Sequence, residues 1–275
     1  MTSLTLRPLA FRIPALAELF DRQRTLAGYG LALLALALLA AAAQSVDPRT
    51  LANGVNVWVK PTKFLVSLGV FALTTAWFFG YVRTARRRSR PMRAVVALTL
   101  IAGTFEIGWI SWPAAQGLES HFNMTTIFYA VMYGLMGLFS VVLIATTLPL
   151  AWEIARRPAP SLRSDFVAAV ATGLLLTFLL GTAAGAYMSA QASHAVGAQG
   201  GHVPFFGWNR SGGDLRIVHF LGVHAEQAIP LFALSLAGLS QRGRWTALAG
   251  GTALYVAVTL ALLAQAIAGP PFLPL

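Results

Sequence analysis

The chain contains no cysteine, which excludes disulfides, thiolate nucleophiles, cysteine-ligated zinc and iron–sulfur clusters. Charge is scarce too. Only 11% of the 275 residues are Asp, Glu, Lys or Arg and 57% are hydrophobic, whereas soluble domains carry roughly 25% charged and about 45–50% apolar residues. Lysine is nearly missing, with Lys60 and Lys63 standing beside eighteen arginines. Histidine is limited to five residues. The formal net charge of +11 invites a nucleic-acid reading. The basic residues, however, fall in short clusters between apolar runs and do not form one solvated face, so no nucleic-acid partner is expected.

What the sequence has in quantity is long uncharged runs. A helix needs about 20 apolar residues to cross a ~30 Å hydrocarbon core, and seven segments meet that length: 25–46, 64–82, 94–112, 127–150, 166–188, 217–239 and 245–268. Lipid offers no partner to backbone N–H and C=O groups, so such segments must be helices. The expectation is an all-α, polytopic bundle of seven transmembrane helices in a single domain over 25–275. Residues 1–24 form a basic leader in which Leu9, Phe11, Ile13, Leu16, Leu19 and Phe20 suggest a short amphipathic helix. The first run closes on Ala-Ala-Ala-Gln, like a signal-peptidase site, yet its 22 uncharged residues exceed the ~7–15 of a signal-peptide core. It therefore reads as an uncleaved span.

Alternating spans let the basic residues set direction. Fifteen lie on one set of sides, in the leader and in the clusters 83–93, 156–163 and 242–244; five lie on the other, Arg49, Lys60, Lys63, Arg210 and Arg216. Basic loops stay in the cytoplasm, which puts the N-terminus inside and the C-terminus outside. Spans one to three and five to seven then share orientation, as in a parallel transporter repeat, although the halves share little beyond Lys63-Phe64-Leu65 against His219-Phe220-Leu221. Gly181 and Gly185 make a small-xxx-small pair suited to close helix packing.

The chemistry-bearing residues gather at the outer side. His121, His194, His202, His219 and His224 all map there. The sixth span is the least ordinary. As a regular helix it carries His219 and Glu226 on one face about 10 Å apart, with His224 about 140° round, so it belongs inside the bundle. Glu226 and its neighbour Gln227 then lie near mid-membrane. An ionised carboxylate is expensive at that depth and should be paired, protonated or bound to a ligand. Glu106 is a second buried carboxyl, one face with Trp109, and at a depth from which it could meet Glu226 and share a proton or a cation. Pro61 suits a first helical turn, so Lys60 and Lys63 stand at a helix N-terminus, where the macrodipole disfavours cations. They call for an anionic partner: lipid phosphate, Glu106, Glu119, Asp214 or an acidic ligand. Asn123 or Thr125 could cap the fourth span, with His121 at its mouth. His121, His219, His224 and Glu119 have the donors for a divalent metal or haem.

Three segments carry a resemblance: Val57-Trp58-Val59-Lys60-Pro61-Thr62-Lys63-Phe64, Ser120-His121-Phe122-Asn123, and Asp214-Leu215-Arg216 with His219-Phe220 and His224-Ala225. They resemble stretches of a broad family of uncharacterised bacterial multi-pass membrane proteins, over most of the chain. The resemblance implies the bacterial inner membrane, with the lipid bilayer as surroundings, and no particular activity. Four readings remain open on the residues. One is a transporter or proton-coupled carrier of a small, anionic solute, using Glu106, Glu226 and Gln227 with Lys60, Lys63 and Arg216. The others are a membrane haem or metal redox protein, an intramembrane metal hydrolase, and a sensory or scaffold protein.

Overall fold

The computed structural model describes residues 14–51, 54–160, 162–203 and 206–274, and helices dominate it. A short helix α1 (Pro14–Arg22) leads into α2 (Arg24–Val46), α3 (Val59–Phe78), α4 (Arg90–Ala115), α5 (Ile127–Ala145), α6 (Thr147–Arg156) and α7 (Ser164–Ala190). A two-residue ladder of β1 (Ala195–Val196) with β2 (Gly213–Asp214) precedes α8 (Leu215–Val223), α9 (Ala225–Ser235) and α10 (Gln241–Ala268). Six helical segments are long and apolar enough to cross a membrane; α8 with the α9 segment makes a seventh if a bent pair, turned by 57° at its break, counts as one span. The segment expected to be the sixth span is therefore not the regular helix that its sequence predicts. The fourth is also jointed, at Thr146, where the hydroxyls of Thr146 and Thr147 turn back onto the carbonyls of Leu143 and Ile144.

Of the expected amphipathic leader helix, α1 contains Leu16, Leu19 and Phe20; Leu9, Phe11 and Ile13 lie outside the described residues. Leu19 and Phe20 pack on the core, and Arg22 stacks on the Trp77 ring at 3.9 Å and donates to the Trp77 carbonyl at 2.7 Å. α5 is capped neither by Asn123 nor by Thr125 but by Thr126, whose hydroxyl accepts from the Tyr129 amide; the Asn123 side chain takes up Thr125 instead.

Close helix approach depends on glycine. A Cβ on Gly30 would lie 3.0 Å from the Gly69 carbonyl and one on Gly69 3.1 Å from that of Gly30, so α2 and α3 cross nearly backbone to backbone, as small residues permit. A second such crossing joins α7 to α8 through Gly181 and Gly222. The largest core cluster, with Phe79, Met92, Leu150, Ile154 and Leu174, lies toward the arginine-rich end. There, buried Glu153 pairs with Arg86 and Arg157, and buried Asp165 with Arg163 and Arg244. The outside of the bundle is apolar: Leu38, Leu39, Ile127 and Leu254 are exposed, the reverse of what water requires of a protein surface.

Candidate functional site

Two polar centres are built from the residues singled out by sequence, one at the break in the sixth span and one at the histidine-rich end.

The break is held by hydroxyls from neighbouring helices. Bending a helix frees backbone groups that must find other partners when water is absent. The Thr177 hydroxyl on α7 accepts from the Glu226 amide at 2.9 Å and donates to the Val223 carbonyl at 3.4 Å. On α10, the Tyr255 hydroxyl donates to the Leu221 carbonyl. Pro230 has no N–H to offer the Glu226 carbonyl one turn earlier, so the first turn of α9 is loosened as well. Gly173 makes the approach possible, since a Cβ there would fall 2.8 Å from the Ala225 carbonyl and 3.1 Å from the Glu226 Cα.

Glu226 is 0% exposed and stands in the first turn of α9. Its Oε1 accepts from the Gln227 side-chain amide at 2.9 Å, and its Oε2 has no hydrogen-bond partner. Gln227 also donates to the Thr74 hydroxyl on α3 at 3.1 Å, while its Oε1 meets Nδ1 of His224 at 3.2 Å. The His224–Gln227–Glu226 chain thus ties α3 to the bend. On a regular helix His224 would have projected away from Glu226; the break brings both onto one side-chain amide.

The second centre surrounds Lys60. Its ammonium lies in the electrostatic field of Glu119, Glu106 and Arg216. Glu106 is 4% exposed, with Oε1 unpartnered. Glu106 and Glu226 do not form the shared pair considered from sequence: the charge facing Glu106 is Lys60, and the partner of Glu226 is Gln227. Trp109, on the Glu106 face of α4, donates its indole N–H to the Ser120 carbonyl at 3.2 Å, anchoring the loop that presents His121. The His121 ring contacts Phe64 and Tyr133, its Nδ1 lies 3.1 Å from the Ser120 hydroxyl, and Glu119 beside it is exposed. Burial, with help from the Lys60, His219 and His194 charges, pushes the His121 imidazole well below its ordinary range. His194, in the connection after α7, is pushed down to about 4 by burial and then by Arg216. His219 gives Nδ1 to the Gly181 carbonyl at 3.1 Å and lies against Gly185. The small-xxx-small pair of α7 is thus the seat of a histidine as well as a packing seam.

The described residues of the connection, 191–203 and 206–214, form a folded cap. Asn209 binds the Ala198 carbonyl, the Gly200 and Ser211 amides and, through its own amide, Asp214. Arg216 bridges Asp214 and the Gly207 carbonyl, and Lys63 donates to the Phe206 carbonyl at 2.8 Å. These cations therefore latch the cap and do not stand open. Phe206 stacks on Trp208 at 4.4 Å, and Phe220 carries this aromatic group to the His224 ring, also at 4.4 Å. His202 is exposed and bridges to Asn209 through the backbone. Neither Thr177 nor Tyr255 was marked by sequence. Their only advance signal is a hydroxyl in an otherwise apolar span.

Among the described residues no three histidine or acidic side chains converge to hold a metal ion. The three-ligand zinc centre that an intramembrane hydrolase requires is therefore not assembled from His121, His219, His224, Glu106, Glu119 or Glu226. No family model, no curated protein and no solved structure matches this chain.

Proposed function

We propose that the chain is a seven-span protein of the bacterial inner membrane, N-terminus inside and C-terminus outside, that carries a small anionic solute together with protons. The apolar exterior, the fifteen basic residues against five and the resemblance to bacterial multi-pass proteins support the membrane and its sidedness. The transport reading rests on one observation: a fully buried carboxyl, Glu226, at the break of a bent span, with one oxygen unpartnered. Discontinuous helices are how carriers expose binding groups at mid-membrane. A buried carboxyl in the first turn of α9, with one oxygen not engaged by the protein, has a place to load and release a proton. At the outer end Lys60 is the cation that supports an anionic solute. The test uses proteoliposomes containing a pH-indicator dye, offered a panel of small carboxylates and inorganic phosphate. Wild type should acidify the lumen with at least one anion, and Glu226→Gln should not, while eluting from gel filtration unchanged. Acidification by Glu226→Gln equal to wild type, or by no member of the panel in wild type, refutes the reading.

A second reading, haem or a metal bound by two histidines, is favoured by one detail. A carbonyl can only accept, so His219 Nδ1 facing Gly181 carries the proton and Nε2 is left as a ligating nitrogen. With His121 in its electrostatic field, two imidazoles are available. A Soret band or stoichiometric metal in purified protein, lost in His219→Ala, would establish it. Without either, and without transport, a sensory or scaffold role stands.

A further inference from the structure

The arginine-rich end carries a second feature that the transport reading leaves unused. Where α5 is jointed to α6, a groove of about 180 Å³ opens between them and α4, walled by Ala94, Val95 and Leu98 on one side and Val142, Ala145 and Pro149 on the other. Its lining is apolar apart from Thr146, whose hydroxyl is turned onto the Leu143 carbonyl, and Leu98 is 40% exposed, so the groove is open sideways.

The ends of α4 and α6 that flank it carry arginines. On α4, Arg90, Ala94 and Leu98 follow one another at four-residue steps and so form one stripe; Arg93 stands on the same terminal turns, about 100° round from Ala94. On α6, Pro149, Trp152 and Arg156 do the same at steps of three and four. The Arg156 guanidinium lies over the Trp152 ring at 4.3 Å, and Trp152 is 61% exposed. The nearby acid, Glu153, is buried and already engaged by Arg86 and Arg157. Among the described residues Arg90, Arg93 and Arg156 have no acidic partner. An exposed tryptophan marks the depth at which hydrocarbon meets headgroup. Three uncompensated cations on the helix ends beside an apolar slot at that depth are complementary to a molecule with an anionic head and an apolar tail.

We infer that this groove binds one anionic phospholipid of the adjoining leaflet, its phosphate among Arg90, Arg93 and Arg156 and one acyl chain along the slot between α4 and the α5–α6 joint. A second copy of the chain is a poorer occupant, because it would bring the same arginines against these. The inference requires insertion in a membrane but not transport, so its failure and that of the carrier reading are separate.

Native mass spectrometry of the detergent-purified protein, titrated with phosphatidylglycerol or phosphatidylcholine, tests it. Wild type should retain one phosphatidylglycerol per chain with a preference of about tenfold or more over phosphatidylcholine. In Arg90→Gln/Arg93→Gln/Arg156→Gln, all surface changes, that preference should vanish. Ala145→Phe, which fills the slot, should weaken both lipids, and Leu98→Trp at the open edge is the substitute if Ala145→Phe elutes as aggregate. Millimolar inorganic phosphate should not displace the lipid. An undiminished preference in the triple variant, equal retention of the two lipids by wild type, displacement by phosphate alone, or a dimer in place of lipid-bound monomer would overturn the proposal.

Discussion

The α7–α8 crossing can be challenged with a single methyl group. A Cβ on Gly222 would stand 2.8 Å from the Gly181 nitrogen, 2.8 Å from the Leu180 carbonyl carbon and 3.1 Å from the Gly181 Cα. All three atoms are backbone, so no side chain can rotate away. Restoring ordinary contact requires the helices to separate by close to 1 Å, and overpacking of this kind costs about 1–3 kcal/mol. The same displacement lengthens the 3.1 Å contact from His219 to the Gly181 carbonyl and strains the hydroxyl bonds that hold the break. Gly250 is the control: it has nothing within 4 Å of its Cβ position, so Gly250→Ala should be neutral or slightly stabilising through helix propensity. In detergent, Gly222→Ala should lower the apparent melting temperature by several degrees, at about 2–4 °C per kcal/mol for a chain of this size. If Gly222→Ala melted with wild type, or if Gly250→Ala fell as far, the backbone-to-backbone packing described for this crossing would be wrong.

Three further outcomes follow from named contacts. Thr177→Val should destabilise by about 1–3 kcal/mol, because it leaves the buried Glu226 amide without an acceptor, and Thr177→Ser should restore most of the loss in the same thermal assay. Arg216→Ala should make the cap more sensitive to limited proteolysis than Lys63→Ala does, since it also strands the buried Asp214 carboxylate; equal sensitivity would show that the latch is not ionic. Stability should fall on acidification below about pH 6.5: His121 and His194 are held neutral in the fold but protonate readily once unfolded, so their contribution is complete above the ordinary histidine range and declines as pH drops toward about 4, where folded His194 protonates too. The slope should not exceed ~1.4 kcal/mol per pH unit for each histidine, and a melting temperature unchanged from pH 7.5 to 4.5 would refute it.

Much of this architecture is legible in the order of residues. Uncharged runs of membrane-crossing length predict the long helices, because a backbone without water must satisfy itself, and the observed helices exceed the predicted spans by only a few residues at most ends. Pro61 falls in the first turn of α3, beside Lys60 and just ahead of Lys63. The sixth span was recognised as unusual from His219, His224 and Glu226, and these residues do gather where the helix is irregular. Pro230 signals that this helix can break, but the place of the break, at His224, is not legible, since neither Gly222 nor Pro230 fixes where a helix bends. The bend depends on Thr177 and Tyr255, which lie far away along the chain and only become partners once α7 and α10 are in place.

Pairing was the other matter that only folding decided. From sequence, Glu106 could reach Glu226, and Lys60 and Lys63 call for an anionic partner that the order of residues leaves open. Tertiary contacts instead set Glu106 in the field of Lys60, give Glu226 to Gln227, and occupy Lys63 and Arg216 with the cap. Composition and periodicity decide which segments form long apolar helices, since that depends only on each segment's own residues. Which polar groups meet once inside depends on helix packing, and here that packing was set by the glycine contacts between backbones and by hydroxyls reaching across from neighbouring helices.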